Sequence, residues 1–575
     1  MRNKIIRITS VLFSMIFLAH ANLSLGQSLS PRSRRNSQVT RLNQLLAEWD
    51  KPQSPGFAVV VVRGGSVIYQ RGFGTANLEY NVRITPSTVF QVASLSKQFT
   101  AFSICLLAQQ GKISLDDDIR KYLPYVPDFR NKMTIRHLIH HTSGLRDQWE
   151  LLAMAGWRLD DVITEEQVLK MVRHQKELNF APGDEYLYSN TGYTLLAEIV
   201  ANVTGQSFIE WTDKNIFLPL HMKNTHFYDD YQMIVKKLAN SYEPVKGGGY
   251  KKSLLNYASV GATNLYTTVE DLAKWIKNYN FGTLGGESVF HQMQEQGVLN
   301  NGEKIEYAFG LVSSQINGLR ILEHGGNDAG YRSYFAYFPE KKLGIALLSN
   351  LSALVPSRLI KQMADIYLAN ELVAQKPEVR KEEQKKNTVF NPAIYDKLIG
   401  KYLLKSGSVL TIFKEGNQLM CQASGEPKVE LSYSLGGSTP TKSIETQITF
   451  RLDKETDQAT SLNLYQIGEF LSGKKIDINL SQEQLEEFVG DYYSEELGTN
   501  YEVIIMDHQL VATHRRHNDI ALTPVDEDQF AGEQWWFRQL HFVRNADKQI
   551  TGFRLTGERA RNIAFTKIRR DITQE

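Results

Sequence analysis

In the stretch VFQVASLSKQFTAF, residues 89–102, Ser94 and Lys97 stand three apart among apolar neighbours. On a helix that spacing turns both side chains to one side. A serine hydroxyl beside an amine is a pairing suited to covalent acyl transfer, in which the amine takes the proton and the oxygen attacks a carbonyl. Leu95, Phe99, Phe102 and Leu106 mark one apolar face, and Ala101, Cys105 and Ala108 keep the other small and apolar up to a stop at Gly111. The pattern predicts a helix buried on all sides. Ser94 falls at its N-terminal end, where free backbone N–H groups and the helix dipole favour developing negative charge. Desolvation would lower the Lys97 pKa towards the range of a base. The same two residues also fit a helix cap with a lysine snorkelling to solvent. Ser-x-x-Lys is a weak signal by itself, because a chain this long contains about two by chance. Ser472-Gly473-Lys474-Lys475 is a second match, in a segment that reads as a polar turn.

Two further stretches add groups of the right kind. APGDEYLYSNTGYTLLAEIV, residues 181–200, places Tyr188-Ser189-Asn190 between a Pro-Gly turn and a helix predicted to start near Gly192. Among 26 tyrosines this is the one Tyr-x-Asn in the chain. A tyrosine can relay a proton to a leaving group, and an asparagine amide can hold both a substrate carbonyl and Lys97. In LRILEHGGNDAGYRSYF, residues 319–335, a strand runs into His324-Gly325-Gly326, where two glycines allow a ligand backbone to approach closely. His140 and His141 are adjacent in a turn and lack a third ligand for a metal.

These residues must be brought together by the elements around them. GFAVVVVRGGSVIYQRGFG (56–74) reads as a hairpin turning at Arg63-Gly64-Gly65, and RSYFAYF with LGIALLSN, joined by Pro339 to Lys342, reads as another. Between them the chain is mostly helical and loop-like, and residues 354–373 supply a closing helix. One sheet built from both ends, helices against it and a separate helical lobe would leave a cleft between them. Residues 374–391 form a charged linker. Beyond it, LIGKYLLKSGSVLTIFKEGNQLM (398–420) is echoed by FVGDYYSEELGTNYEVIIMDHQLVA (488–512), a repeat with a period of about 90 residues. The spacing suits two small β-barrels, 392–478 and 481–570, or one two-part barrel. Trp535, Trp536, Phe537 and Phe542 read as barrel core rather than pocket lining.

Composition narrows the class. With 575 residues, 42% of them hydrophobic, the chain has material for more than one domain. A net charge of +2 gives no reason to expect nucleic acid as a partner. Arg2, Lys4 and Arg7, the apolar run Val11 to Leu18 and Ala19-His20-Ala21 read as a cleavable secretory signal over residues 1–26. The run is too short to span a bilayer and carries no cysteine for a lipid anchor. A secreted or periplasmic protein without stable membrane insertion is expected. Cys105 and Cys421 are too few and too far apart for a disulfide scaffold or a metal cluster.

Ser94-x-x-Lys97, Tyr188-x-Asn190 and His324-x-Gly326, in this order, resemble the serine β-lactamase and penicillin-binding-protein superfamily. IRHLIHHTSGL (135–145) and GATNLYTTVEDLAKW (261–275) look like it too, and the resemblance covers about Leu42 to Leu372. It implies an α/β domain, 38–373, with an antiparallel sheet flanked by helices plus a helical lobe, followed by a C-terminal all-β, lipocalin-like region, 392–575. It further implies Ser94 as the acylated nucleophile, with Lys97 and Tyr188 sharing acid–base work. Asn190, His324, Gly325 and Gly326 would bind substrate, the backbone N–H groups of Ser94 and Asn327 would form the oxyanion hole, and His140 and His141 would be structural. No metal or other cofactor is required. A neutral histidine where relatives carry lysine weakens the case for a dedicated β-lactamase, because the fixed charge for a substrate carboxylate is missing. Tyr-x-Asn is nearer to class C enzymes, D-aminopeptidases and esterases than to class A, and no class A deacylating glutamate is evident. A serine hydrolase of small esters or amides, D-residue peptides included, is the expectation. A penicillin-binding DD-carboxypeptidase, a weak class C-like β-lactamase and a non-enzymatic ligand-binding or scaffold protein remain open. The C-terminal domains would shape access to the cleft or support a homo-oligomer.

On this reading Ser94→Ala abolishes hydrolysis and Ser472→Ala leaves it intact. Equal loss in both variants, or in neither, would overturn the assignment of the nucleophile.

Overall fold

The computed structural model describes residues 31–316, 318–369, 394–425, 428–431, 438–440, 446–453, 455–466 and 469–568, so the signal and the charged linker expected from the sequence lie outside the described residues. The chain divides into two units, Met1–Ala47 and Glu48–Glu575. In the first, the described element is the helix Pro31–Leu46.

The second unit is organised on a six-stranded antiparallel sheet: β1 (Phe57–Arg63), β2 (Ser66–Phe73), β3 (Val312–Ile316), β4 (Leu319–Asp328), β5 (Tyr331–Phe338) and β6 (Leu343–Ser349). The order is β3-β4-β5-β6-β1-β2, so the two hairpins read from the sequence join where β1 pairs with β6, from Phe57 opposite Ser349 to Arg63 opposite Leu343. Every residue of β1 from Phe57 to Val62 is buried. Such a continuous apolar run, rather than an alternating one, is what a strand covered on both faces requires. The helix Val269–Phe281 packs on β1 and β6, and Pro356–Leu368 packs on β5 and β6. Thr268 caps the first of these by accepting from the Asp271 N–H. Ile276 lies over Gly344, where a Cβ would come within 2.4 Å of its side chain. The buried helix read from the sequence spans Ser96–Gln109, with Ser96 to Leu107 all buried. Its Phe99 and Phe102 meet Trp275 with ring centroids 4.5 and 5.1 Å apart.

After the α/β part, strands between Gly400 and Ile476 form an eight-stranded sheet, and eight strands between Gly490 and Ile568 close into a barrel. The repeated Gly-x-Tyr has one structural role in both. Tyr402 donates to the Leu398 carbonyl and Tyr492 to the Phe488 carbonyl, each at 2.7 Å, tying the first strand to the turn before it. Ser472 lies in the strand Glu469–Ile476 opposite Asn463, so the polar turn expected there is in fact a paired strand. Trp536, Phe537 and Phe542 are buried in the barrel core, whereas Trp535 is not. Among the described residues no helix is long and apolar enough to cross a membrane.

The barrel is fused to the helical lobe. Leu151, Leu152 and Met154 share one apolar cluster with Phe537, Phe553 and Phe565. Arg146, 1% exposed, donates through Nη1 to both carboxylate oxygens of Glu496, 6% exposed, at 2.6 and 2.8 Å. Burial lifts the Glu496 carboxyl above its ordinary range even with the guanidinium beside it. The pair thus fixes where the barrel docks without repaying all of its desolvation. Glu496→Ala, which leaves the buried arginine two backbone carbonyls and the half-exposed Glu177 carboxylate at 3.8 Å, should destabilise the protein by about 3 kcal/mol, and Arg146→Met with Glu496→Leu together by much less. Urea unfolding of the two variants checks this, and equal losses would show that the ion pair is itself a net source of stability.

Candidate active site

Ser94 sits in the single turn Ala93–Leu95 that leads into the buried helix. Ala93 takes the left-handed conformation, φ 49°, a strained choice for a residue with a Cβ. Several bonds hold it there. Its N–H donates to Gln91 Oε1 at 2.8 Å, its carbonyl accepts from Ser96 Oγ at 2.6 Å, and the Val92 carbonyl accepts from Ser333 Oγ at 2.7 Å. Gly326 of β4 passes against this turn, where a Cβ would stand 2.4 Å from both the Val92 carbonyl oxygen and Ser333 Oγ. The glycine therefore makes room for the protein's own turn rather than for a ligand. Gly325 does border the cleft.

Lys97 is fully buried, with Nζ 3.1 Å from Ser94 Oγ, 2.8 Å from Asn190 Oδ1 and 2.8 Å from the Ala262 carbonyl. As a neutral amine it donates to the two oxygens that can only accept and turns its lone pair to the Ser94 hydroxyl. Burial pulls its pKa down to about 7, partly opposed by Asp147 and assisted by Arg559. Asn190 opens the helix Asn190–Thr204, two residues earlier than the sequence suggested. Its amide is clamped: Oδ1 faces Lys97, while Nδ2 and the backbone N–H both donate to Asp147 Oδ2, at 2.8 and 2.7 Å. Asp147 also caps the helix Gln148–Met154 through Oδ1 to the Trp149 N–H at 3.0 Å.

Tyr188 is half-buried at the cleft and hydrogen-bonds Ser94. Burial raises its phenol well above the ordinary tyrosine range, with the Ser94 bond and the Arg559 charge acting the other way. Its ring lies 5.0 Å from Lys97 Nζ and 4.2 Å from the His141 ring. His141 Nδ1 and the Ser189 backbone N–H are 3.1 Å apart, so this histidine braces the tyrosine loop. His140 Nδ1 faces the Tyr307 carbonyl at 3.3 Å. Among the described residues no group of three His, Cys, Asp or Glu side chains is placed to hold a metal.

His324 borders the cleft, yet both its ring nitrogens are engaged. Nδ1 lies 2.6 Å from the Gly325 carbonyl and Nε2 3.0 Å from the Tyr307 hydroxyl. A carbonyl only accepts, so Nδ1 carries the proton and Nε2 accepts from the tyrosine. Burial, with Lys97 nearby, pulls the histidine down to about 4, and it is neutral at physiological pH. The cleft has a volume of about 420 Å³ and also includes Asn327, Asp328, Thr263, Tyr257, Trp149 and Leu159. Two of its residues, Trp535 and Arg559, come from the C-terminal barrel.

The family described as Beta-lactamase matches residues 42–369, more than half of the chain. The protein belongs to the β-lactamase family. Its fold is the family's α/β fold with an added all-β region, and it is a serine hydrolase of the β-lactamase and penicillin-binding-protein type. It is 28% identical over 434 residues to penicillin-binding protein 4* of Bacillus subtilis (strain 168), covering 71% of this chain and 92% of the relative. It is 27% identical over 296 residues to a D-aminopeptidase of Gluconobacter oxydans (strain 621H), covering 52% of this chain and 56% of the relative, so it spans little more than half of that enzyme. The octameric penicillin-binding protein homologue from Pyrococcus abyssi superposes with a TM-score of 0.54 at 25% identity, over 76% of this chain and 99% of the other.

The structure thus brings Ser94, Lys97, Tyr188, Asn190, His324, Gly325 and Asn327 to one cleft. Asp147 and Arg559 were missed in the sequence. Asp147 had a local signal, since Asp-Gln-Trp-Glu is a helix start with its cap residue. Arg559 had none, because it lies 465 positions beyond Ser94. Asp147→Ala leaves three N–H groups of the lobe without an acceptor. It should lower stability by about 3 kcal/mol and release the Asn190 clamp on Lys97. Thermal unfolding alongside hydrolysis of an activated ester checks this, and wild-type values for both would show that the carboxylate is dispensable.

Proposed function

We propose that the protein is an exported hydrolase that forms an acyl-enzyme at Ser94 and cleaves small amides or esters, peptides with D-residues among them. The observation that carries this is Lys97: an amine buried to a pKa of about 7, fixed 3.1 Å from the Ser94 hydroxyl. Ser94 Oγ attacks the acyl carbon and its proton passes to Lys97 Nζ. The oxyanion is received by the N–H groups of Ser94 and Asn327. As the carbon–nitrogen or carbon–oxygen bond breaks, the leaving group takes the Tyr188 proton, and transfer from the Lys97 ammonium to the phenolate resets both. Water then attacks the ester with the same groups in reverse order, releasing the acid and free Ser94. The raised Tyr188 phenol favours this division of labour, with lysine as acceptor and tyrosine as donor. The names of the D-aminopeptidase and penicillin-binding relatives support the D-peptide substrate class, and the octameric Pyrococcus relative supports self-assembly as part of the reading.

A base must be unprotonated to act. Acylation measured under kcat/KM conditions should therefore rise with pH through about 7 and fall about tenfold per unit below it. Intact-mass spectrometry after a fluorophosphonate should show one adduct, absent in Ser94→Ala. A rate that is flat between pH 5 and 8 would remove Lys97 as the base, and an adduct that survives in Ser94→Ala would remove the nucleophile.

A further inference from the structure

The C-terminal barrel completes the cleft with a charge that the catalytic domain lacks. The turn Gly557–Ala560, closed by the Gly557 N–H on the Ala560 carbonyl at 2.8 Å, enters the catalytic side of the molecule. It is held almost wholly by its backbone. Glu150 accepts from the N–H groups of Glu558 and Arg559 at 2.7 and 2.6 Å. The Arg559 carbonyl accepts from the Asp147 N–H at 3.2 Å and from Asn179 Nδ2 at 2.8 Å, and Asn179 Oδ1 accepts from the Arg561 N–H at 2.8 Å. Gly557 leaves no room for a side chain, since a Cβ would stand 2.8 Å from the Glu150 carboxylate. Such anchoring fixes the turn and leaves the Arg559 side chain for another task.

That side chain is half-buried, borders the cleft and lies with its guanidinium carbon 5.1 Å from the centre of the Tyr188 ring. Among the described residues no carboxylate is within 4.0 Å of it. The two acids that border the cleft are already occupied: Asp147 by Asn190 and the Trp149 N–H, Asp328 by Thr263 Oγ1 at 2.8 Å and Gln91 Nε2 at 3.2 Å. His324 is neutral and Lys97 is enclosed by Ser94, Asn190 and the Ala262 carbonyl. A planar guanidinium with no carboxylate in ion-pair contact, set over the Tyr188 ring in the cleft that Ser94 borders, suits two-pronged binding of a carboxylate.

We propose that Arg559 is a specificity-determining residue that binds a free carboxylate of the substrate close to the scissile bond, so that the barrel supplies the anion site that His324 cannot. The preferred substrates are then peptides or depsipeptides that end in a free carboxylate near the cleaved bond. This rests on the assignment of Ser94 as nucleophile. Trp149, stacked on Tyr257 at 4.4 Å, together with Leu159 and Trp535, gives the remainder of the cleft an apolar wall for the substrate's side chains.

The test is protection of the full chain from fluorophosphonate labelling by N-acetyl-D-alanyl-D-alanine and by its C-terminal carboxamide. Both ligands compete with one labelling reaction, so any change in the reactivity of Ser94 itself cancels in the ratio of their protection constants. The carboxylate should protect about tenfold better than the carboxamide in the wild type. Arg559→Gln should bring the ratio to about one, Arg559→Glu should reverse it, and Arg561→Gln just beyond the turn should keep it. A ratio near one in the wild type, or a preference that survives in Arg559→Gln, overturns the proposal while leaving Ser94 in place. A wild type that takes no label at Ser94 overturns the nucleophile assignment and this inference with it.

Discussion

The structure turns on the burial of one amine. Lys97 loses water on every side, and its contacts with Ser94, Asn190 and Ala262 return only part of what hydration gave its charge. The result is an amine whose pKa falls to about 7, so that a large share of it is uncharged at neutral pH, and the neighbouring elements are arranged to keep it there. The Ser96–Gln109 helix carries no acid in its first turn, Asn190 offers a neutral oxygen, and the Asp147 carboxylate is bonded to the asparagine amide rather than to the amine. An aspartate in place of Asn190 would pair with Lys97 directly and return it to the ammonium form. Tyr188 answers to the same enclosure in the opposite sense, because burial disfavours the charged state of a phenol as it does of an amine.

That enclosure needs more than the α/β domain. One edge of the cleft is the barrel turn Gly557–Ala560, and it touches the same short segment, Arg146 to Glu150, that holds Asn190. Arg146 pairs with Glu496 of the barrel, Asp147 with Asn190 and with the Arg559 backbone, and Glu150 with the N–H groups of Glu558 and Arg559. Five consecutive residues therefore link the position of the barrel to the position of Lys97. Burial raises Glu150 to about 8, with the Asp147 charge adding to it and the two N–H bonds from the turn acting the other way.

Much of this could be read in the sequence and some could not, for physical reasons. The two hairpins were legible because their apolar runs and glycine turns are local, and the buried helix because its apolar residues surround it completely. Ser94, Lys97, Tyr188 and Asn190 could be found because each belongs to a short motif in a fixed order. Gly326 was identified as a point of close approach, but what approaches, the Val92–Ala93 turn, is remote in sequence. His324 was expected to be neutral from its ordinary pKa, whereas the structure makes it so by burial and by engaging both nitrogens. The barrel repeat was visible as Gly-x-Tyr, since the tyrosine bond runs back only four residues. Arg559 was not visible, and Trp535 was read as barrel core although it lines the cleft, because their place there depends on how two domains dock. Docking is set by Arg146, Glu496 and a shared apolar cluster, and no pattern within either domain records it.

The Ala93 turn shows what the fold gives up for this geometry. A left-handed alanine costs about 1–3 kcal/mol, and it persists only where its surroundings leave no alternative. Here they do: Gln91, Ser96 and Ser333 each hold one backbone group of the turn, and Gly326 of β4 closes in behind it. Relaxing Ala93 to an ordinary helical conformation would swing Ser94 away from Lys97 and break those bonds together. The strained turn and the desolvated amine thus depend on each other. The turn brings the hydroxyl within 3.1 Å of an amine that solvent would otherwise surround, and the amine in turn orients the hydroxyl. Both are sustained by the large core that Ser96–Gln109 forms with Trp275 and the central strands.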